Sequence, residues 1–441
     1  MIPPTPATET PEPSALVPAS ERRRALAGSA VGSAIEWYDF FLYGTMSALV
    51  FGPLFFQSDD PTLSTMLAMA AFALSFLIRP IGGILFSHMG DRIGRKKTLV
   101  VTLTLMGAST VLIGLLPTYA VVGIWAPIML TLLRLVQGLA LGGEWGGGLL
   151  LAVEYSPRKQ RGLWGAVPQT GALLGLALGN LAATASLEIF PEDAFLTIGW
   201  RIPFVISIVL LAVGLWIRHA VDETPSFRKV QAERATAKVP LALVLRRNWR
   251  QVIIVILAKF IETATFFLFA TFSVSYAVNS LGYDRVEALN AVLIAAVLAI
   301  PVMLFWGRVS DRIGRKKVFI GGAIAVALYA YPFLWMMNQQ SFGWLLAALV
   351  IGFSIIWASY GSVLGTFFAE SFPADVRYTG ASLGYQVGAA IAGGPVPLIA
   401  TAIVADGNQY AGVAVLIAAC AIISIVAVLF AKDRSGQQLD D

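Results

Sequence analysis

Seven ionisable residues interrupt long apolar runs in this chain: Glu36, Asp39, Arg79, Arg134, Glu144, Lys259 and Glu262. A charge held away from water is costly, so it is kept for a function or for a partner. Glu36 and Asp39 are three apart and share one helix face, with Tyr43 four residues further on. Two carboxylates this close do not both stay ionised easily in dry surroundings, which suits them to taking up and releasing a proton. Asp39 is the first choice for a proton carrier, followed by Glu36 and Glu144, with Glu262 also a candidate. The competing reading locks the Glu36/Asp39 pair to Arg79 or Arg134 as structural ion pairs. An arginine fork matches a carboxylate in bidentate fashion, which makes Arg79 and Arg134 the best candidates for holding an anionic substrate. Arg201 would attract anions at a helix end. Lys259 and Glu262 are also three apart; either they neutralise each other, or Lys259 offers a movable point charge to an anion. Tyr38, Tyr43, Gln137, Gln169, Tyr276, Trp357, Tyr360 and Gln386 supply hydrogen bonds or aromatic walls, unless they are simply packed between helices. Tyrosine and tryptophan also suit a quaternary ammonium.

The elements that must carry these residues follow from composition. Of 441 residues 57% are apolar and 13% are charged, about half the usual charge of a soluble domain. That excludes a soluble enzyme, a disordered protein and a coiled coil. Apolar runs fall at 25–56, 63–87, 98–116, 122–153, 163–187, 200–217, 251–278, 286–306, 318–337, 343–369, 379–403 and 410–431. Each reaches the roughly 20 residues that cross a bilayer, and in lipid such runs must be helices. Glycines recur every four residues at Gly138-Gly142-Gly146, Gly171-Gly175-Gly179 and Gly380-Gly384-Gly388, which allows close helix packing. One cysteine, Cys420, and two histidines beside charged loops, His88 and His219, leave no disulfide and no metal cluster. No cofactor is expected beyond the proton as coupling ion.

The basic residues set the orientation. Even-numbered connections and the tails hold 26 of the 31 lysines and arginines, whereas the odd-numbered ones hold a single Arg285 among acids. The positive-inside rule places both termini in the cytoplasm, so the basic balance is a topology signal and nucleic acid is not needed to explain it. Residues 1–24 read as a disordered cytoplasmic tail. The segment 90–97 (GDRIGRKK) recurs at 310–317 (SDRIGRKK). The expected organisation is therefore a six-helix bundle over 25–217, a cytoplasmic loop over 218–250, a second bundle over 251–431 and a cytoplasmic tail over 432–441. Asp91 and Asp311 follow helix C-termini, where a negative charge is unfavourable. They are better matched to a neighbouring helix N-terminus or to the adjacent arginines, with Gly94 and Gly314 allowing the turn that brings Arg95 and Arg315 back.

These repeated loops resemble the signature loop of the major facilitator superfamily. Further segments resemble its metabolite:H+ symporter family, which includes proline/betaine, shikimate and 2-oxoglutarate carriers: Glu36-Trp37-Tyr38-Asp39-Phe40, Arg79-Pro80-Ile81-Gly82-Gly83, Arg134-Leu135-Val136-Gln137-Gly138, Gly142-Gly143-Glu144-Trp145 and Trp200-Arg201-Ile202-Pro203-Phe204. Ser87 departs from the glycine that opens the loop pattern. The resemblance implies an all-α membrane protein of twelve transmembrane helices in two pseudo-repeated six-helix bundles, lying in the cell membrane. It also implies conformational latches at Asp91, Arg92, Gly94 and Arg95 and at Asp311, Arg312, Gly314 and Arg315. The expected activity is proton-coupled uptake of a small carboxylate-bearing metabolite or zwitterionic osmolyte by alternating access, without covalent chemistry or an obligate protein partner. The alternative is an exporter or facilitator of amphipathic compounds.

Overall fold

The computed structural model describes residues 19–93, 95–142, 149, 152–153, 156–220, 240–373, 376–405 and 410–435. Among these residues there is no β-strand. Helices are what long apolar segments must form where no water is available to satisfy backbone groups. The first span, Ala19–Met46, continues through a π-helical turn, Ser47–Phe51, into Gly52–Phe55. The second breaks at Ile78 into Pro61–Leu77 and Arg79–Ile93. Pro80 explains the break, because its ring is tolerated in a first turn and not in a helix interior; Arg79 therefore opens a new helix at mid-span. Then come Arg95–Leu115, Trp125–Gly142 and Arg161–Ile189, and a sixth span bent by 42° between Glu192–Gly199 and Arg201–Trp216.

The second series runs Trp249–Asn279, Arg285–Ile313, Arg315–Met337, Phe342–Ser371, Arg377–Gly393 with Pro395–Ala405, and Ala411–Leu429. The seventh span carries a π-helical turn at Leu268–Phe272, one repeat after the turn in the first span. Among the described residues nine helices are long and apolar enough to cross a membrane, or ten with the bent pair taken as one span. The first helix and the shorter apolar Val100–Leu115 complete a sequence consistent with twelve. A short helix, Pro240–Arg247, precedes the seventh span.

Packing repeats as the sequence does. The first span lies along the fifth as the seventh lies along the eleventh; the third meets the sixth as the ninth meets the twelfth. The two series meet where the fifth span crosses the eighth and the second crosses the eleventh. Glycine makes these approaches possible. A Cβ on Gly171 would stand 2.5 Å from the Ala30 carbonyl oxygen and one on Gly175 2.7 Å from that of Ala34, so neither site admits a side chain. Gly307 on the eighth span and Gly162 on the fifth approach in the same way. The glycine stripes thus serve packing, as their spacing suggests.

Candidate functional site

A cavity of about 30 Å³ lies between the first, second, fifth, seventh, tenth and eleventh spans. It has room for about two water molecules, so an organic ligand enters only when helices part. Its polar lining is Arg79, Gln169, Lys259, Glu262, Thr263 and Tyr385, set among Trp37, Phe41, Phe266, Phe267 and Trp357. Three factors place Arg79 here. The break before Pro80 starts a helix at this level, the side chain is 1% exposed, and its guanidinium lies on Phe76 at 4.0 Å and Phe40 at 4.4 Å from the ring centroids. Its Nε and Nη2 have no hydrogen-bond partner. Cation–π contact offsets part of the desolvation but leaves the donor edge vacant.

Opposite stands the Lys259–Glu262 ion pair, one turn apart on the seventh span and buried. The Lys259 ammonium lies 3.9 Å from the centroid of Tyr385. Thr263 Oγ1 donates to Glu262 Oε2 at 3.0 Å, and Trp357 Nε1 donates to the Glu262 backbone oxygen at 3.0 Å. Of the two sequence readings of this pair, mutual neutralisation describes its ground state.

The second arginine is set back from the cavity. Arg134 is fully buried against Tyr43 (4.1 Å), Phe40 (4.2 Å) and Phe72 (4.9 Å). Its Nη1 donates to Gln137 Oε1 at 3.0 Å, and Gln137 Nε2 donates to Thr110 Oγ1 at 2.7 Å. Thr110, whose hydroxyl donates to the Met106 oxygen at 3.1 Å, also lies near the carboxyl of Asp39, whose Oδ1 is buried without a hydrogen-bond partner. Asp39 thus reaches Arg134 through two neutral side chains rather than through an ion pair. Phe40 carries both guanidiniums, which places the two cations on one ring.

Several candidates are positioned for packing instead. The Tyr38 hydroxyl donates to the Pro203 oxygen at 3.0 Å and joins the first span to the sixth. Tyr43 lies under Arg134, and Gln137 is committed to Arg134 and Thr110, so none of the three lines the cavity. Arg201 sits outside it as well: Nη1 donates to the carbonyls of Gly114 (3.0 Å) and Leu116 (2.6 Å), closing the end of the third span. Gln386 donates to the Gly142 oxygen at 3.0 Å, Tyr276 is bonded to Asn338, and Tyr360 to Thr265 at 2.7 Å. Glu36 is buried at 6% exposure, while Gln169 reaches the cavity. Glu144, Gly94 and the side chains of Asp91, Arg92 and Arg95 lie outside the described residues.

The loop at 310–317 adopts the geometry its sequence implies. Asp311 accepts from the backbone of Gly162 (2.8 Å) and Leu163 (3.1 Å), first-turn donors that have no partner within the fifth span. Arg315 returns to pair with Asp311 at 2.9 Å, with Glu370 at 3.5 Å also in reach. Gly314 at φ +99° makes that return, in a conformation L side chains rarely adopt. Arg312 points outward and is exposed. Sequence reasoning missed two parts of this assembly. Ser435 Oγ accepts from the Arg315 backbone N–H at 3.0 Å, and Lys316 donates to the carbonyls of Leu429 and Ala431; these depend on how the chain end returns. It also missed Tyr385 and the Phe266–Phe267 pair. The only signal for the phenylalanines was spacing, since Phe266 follows Glu262 by one helical turn.

Comparison with known proteins defines the class. The Major Facilitator Superfamily profile matches residues 30–397. The shikimate transporter of Escherichia coli is 37% identical over 423 residues, covering 94% of this chain and 95% of that protein. A proline/betaine transporter of Salmonella typhimurium is 33% identical, covering 95% and 85%. The E. coli xylose transporter in a partially occluded inward-open conformation superposes with a TM-score of 0.74 at 17% identity, over 95% of this chain and 100% of that one. The chain belongs to the major facilitator superfamily. It is an all-α multi-pass membrane transporter and not an enzyme.

Proposed function

We propose that this transporter is a proton-coupled symporter that takes up a small carboxylate-bearing metabolite or zwitterionic osmolyte by alternating access. The observation that carries this reading is the vacant Nε–Nη2 edge of Arg79 inside an aromatic cavity, which a carboxylate would fill with two charge-assisted hydrogen bonds. Relatives named for shikimate and for proline and betaine share that carboxylate chemistry. Asp39 is the proton carrier in this reading. Its carboxyl connects through Thr110 and Gln137 to Arg134, so a proton on Asp39 changes the charge balance behind Phe40 and hence at Arg79. The bundles 25–217 and 251–431 move against each other about the site. The Asp311 loop fastens their cytoplasmic ends, and both tails face the cytoplasm of the cell membrane. Partners are the organic solute, protons and the bilayer.

The test is uptake of radiolabelled shikimate, benzoate, proline and glycine betaine into proteoliposomes under an imposed inward proton gradient. Accumulation that collapses with a protonophore supports the reading. Uptake that proceeds equally without the gradient rejects the coupling.

A further inference from the structure

The cavity holds one more element whose chemistry the general reading leaves unused. Arg79 contributes one positive charge, while Lys259 and Glu262 cancel. Arg134 lies against Phe40, and neither it nor Asp39 lines the cavity. The cavity lining therefore carries one net positive charge in surroundings that water barely enters. A bound monocarboxylate brings the cavity to neutrality. A dicarboxylate would leave an uncompensated negative charge in apolar surroundings, which is strongly unfavourable.

We propose that the Lys259–Glu262 pair makes this transporter selective for ring-bearing monocarboxylates: the carboxylate binds the vacant edge of Arg79, the ring lies on the aromatic wall, and the carboxylate of Glu262 bars a second anionic group from Lys259. This rests on the reading that Arg79 receives a carboxylate. The wall supports the ring: Trp37 stacks on Phe41 at 5.1 Å and Phe41 on Phe266 at 5.1 Å, a column of three near-parallel rings that lines the cavity with Arg79 and that a further ring can join. Lys259 is kept beside Glu262 by the face of Tyr385 as well as by charge. Glu262 thereby occupies the position a substrate's second carboxylate would take.

The test measures binding of benzoate and isophthalate, which share a ring and differ by one carboxylate, to the purified full chain by isothermal titration at neutral pH. Wild type prefers benzoate. Glu262→Gln raises the cavity charge by one and shifts the affinity ratio toward isophthalate by at least about tenfold, a conservative figure for one charge at this range. The double variant Lys259→Met with Glu262→Gln returns the charge to its wild-type value and restores the preference for benzoate; it also avoids stranding an unpaired ion. An unchanged ratio in Glu262→Gln, or a double variant that stays with isophthalate, overturns the proposal while leaving carboxylate binding at Arg79 intact. Wild type that binds neither acid, yet takes up glycine betaine, refutes this selectivity; the Arg79 reading falls if no carboxylate-bearing solute, glycine betaine included, binds.

Discussion

Replacing Asp311 with asparagine isolates the charge in the 310–317 loop, because the shape is retained. In the structure that carboxylate accepts two backbone hydrogen bonds from the start of the fifth span and pairs with Arg315, with the Asp311 side chain only 6% exposed. Asparagine keeps one acceptor oxygen and turns an amide NH2, itself a donor, toward the second N–H. It loses one hydrogen bond to a charged group, on the order of 1.5–3 kcal/mol, and the interaction with the helix dipole, about 0.5–1 kcal/mol. Part of the sum is recovered by Arg315 turning to Glu370, 3.5 Å away. A net loss of about 2 kcal/mol shifts a two-state equilibrium roughly 30-fold toward the state in which these helix ends are apart. The assay is pulsed electron–electron spin resonance with labels at Lys159 and Lys317, both exposed. The only native cysteine, Cys420, is buried and is replaced by serine. The expected result is a long-distance population that is minor in the parent and dominant in Asp311→Asn. Identical distance distributions would refute the reasoning, since they would show that the loop anchors charge without holding the helices.

Asp39→Asn abolishes gradient-driven accumulation while counterflow exchange continues, measured in the same proteoliposomes; surviving accumulation removes Asp39 from the coupling. Gly307→Leu forces the eighth span away from the Gly162 oxygen, 2.8 Å from where the new Cβ would stand. It lowers stability by about 1–3 kcal/mol, read as a fall in thermal melting temperature. Glu192→Gln removes an ion pair with Arg285 that spans 3.6 Å with Glu192 75% exposed. It changes stability by less than about 1 kcal/mol, so a melting shift of several degrees would contradict that ranking.

What the sequence revealed divides along a physical line. Span positions were legible because the length of an apolar run decides them. The Asp311 geometry was legible because it depends on local facts: a charge at the wrong end of one helix, a glycine three residues later and an arginine beyond it. The dual role of Phe40 was not legible, since Arg79 and Arg134 come from different spans and meet on its ring only after packing. Tyr38, Gln137 and Arg201 stand in the sequence either as substrate contacts or as packed residues, because polar groups in apolar runs allow both. Their partners are the Pro203 oxygen, Arg134 with Thr110, and the carbonyls of Gly114 and Leu116, and the last two of those partners belong to a span end no periodicity points to. That Asp39 makes no ion pair with Arg134 was not legible either, because Thr110 and Gln137 come between them only after packing.

The contact between Gly162 and Gly307 has a kinetic consequence. Two backbones meet there with the small side chains of Ser310 and Ala166 beside them, so no large knob has to leave a hole when these backbones separate. Resistance to motion at this junction then rests chiefly on the directional bonds around Asp311. Such a junction behaves like a smooth bearing held by a clasp: it rolls freely once unclasped and hardly creeps before. Interconversion should therefore be abrupt, with a rate that follows the strength of the clasp far more closely than the fluidity of the surrounding lipid.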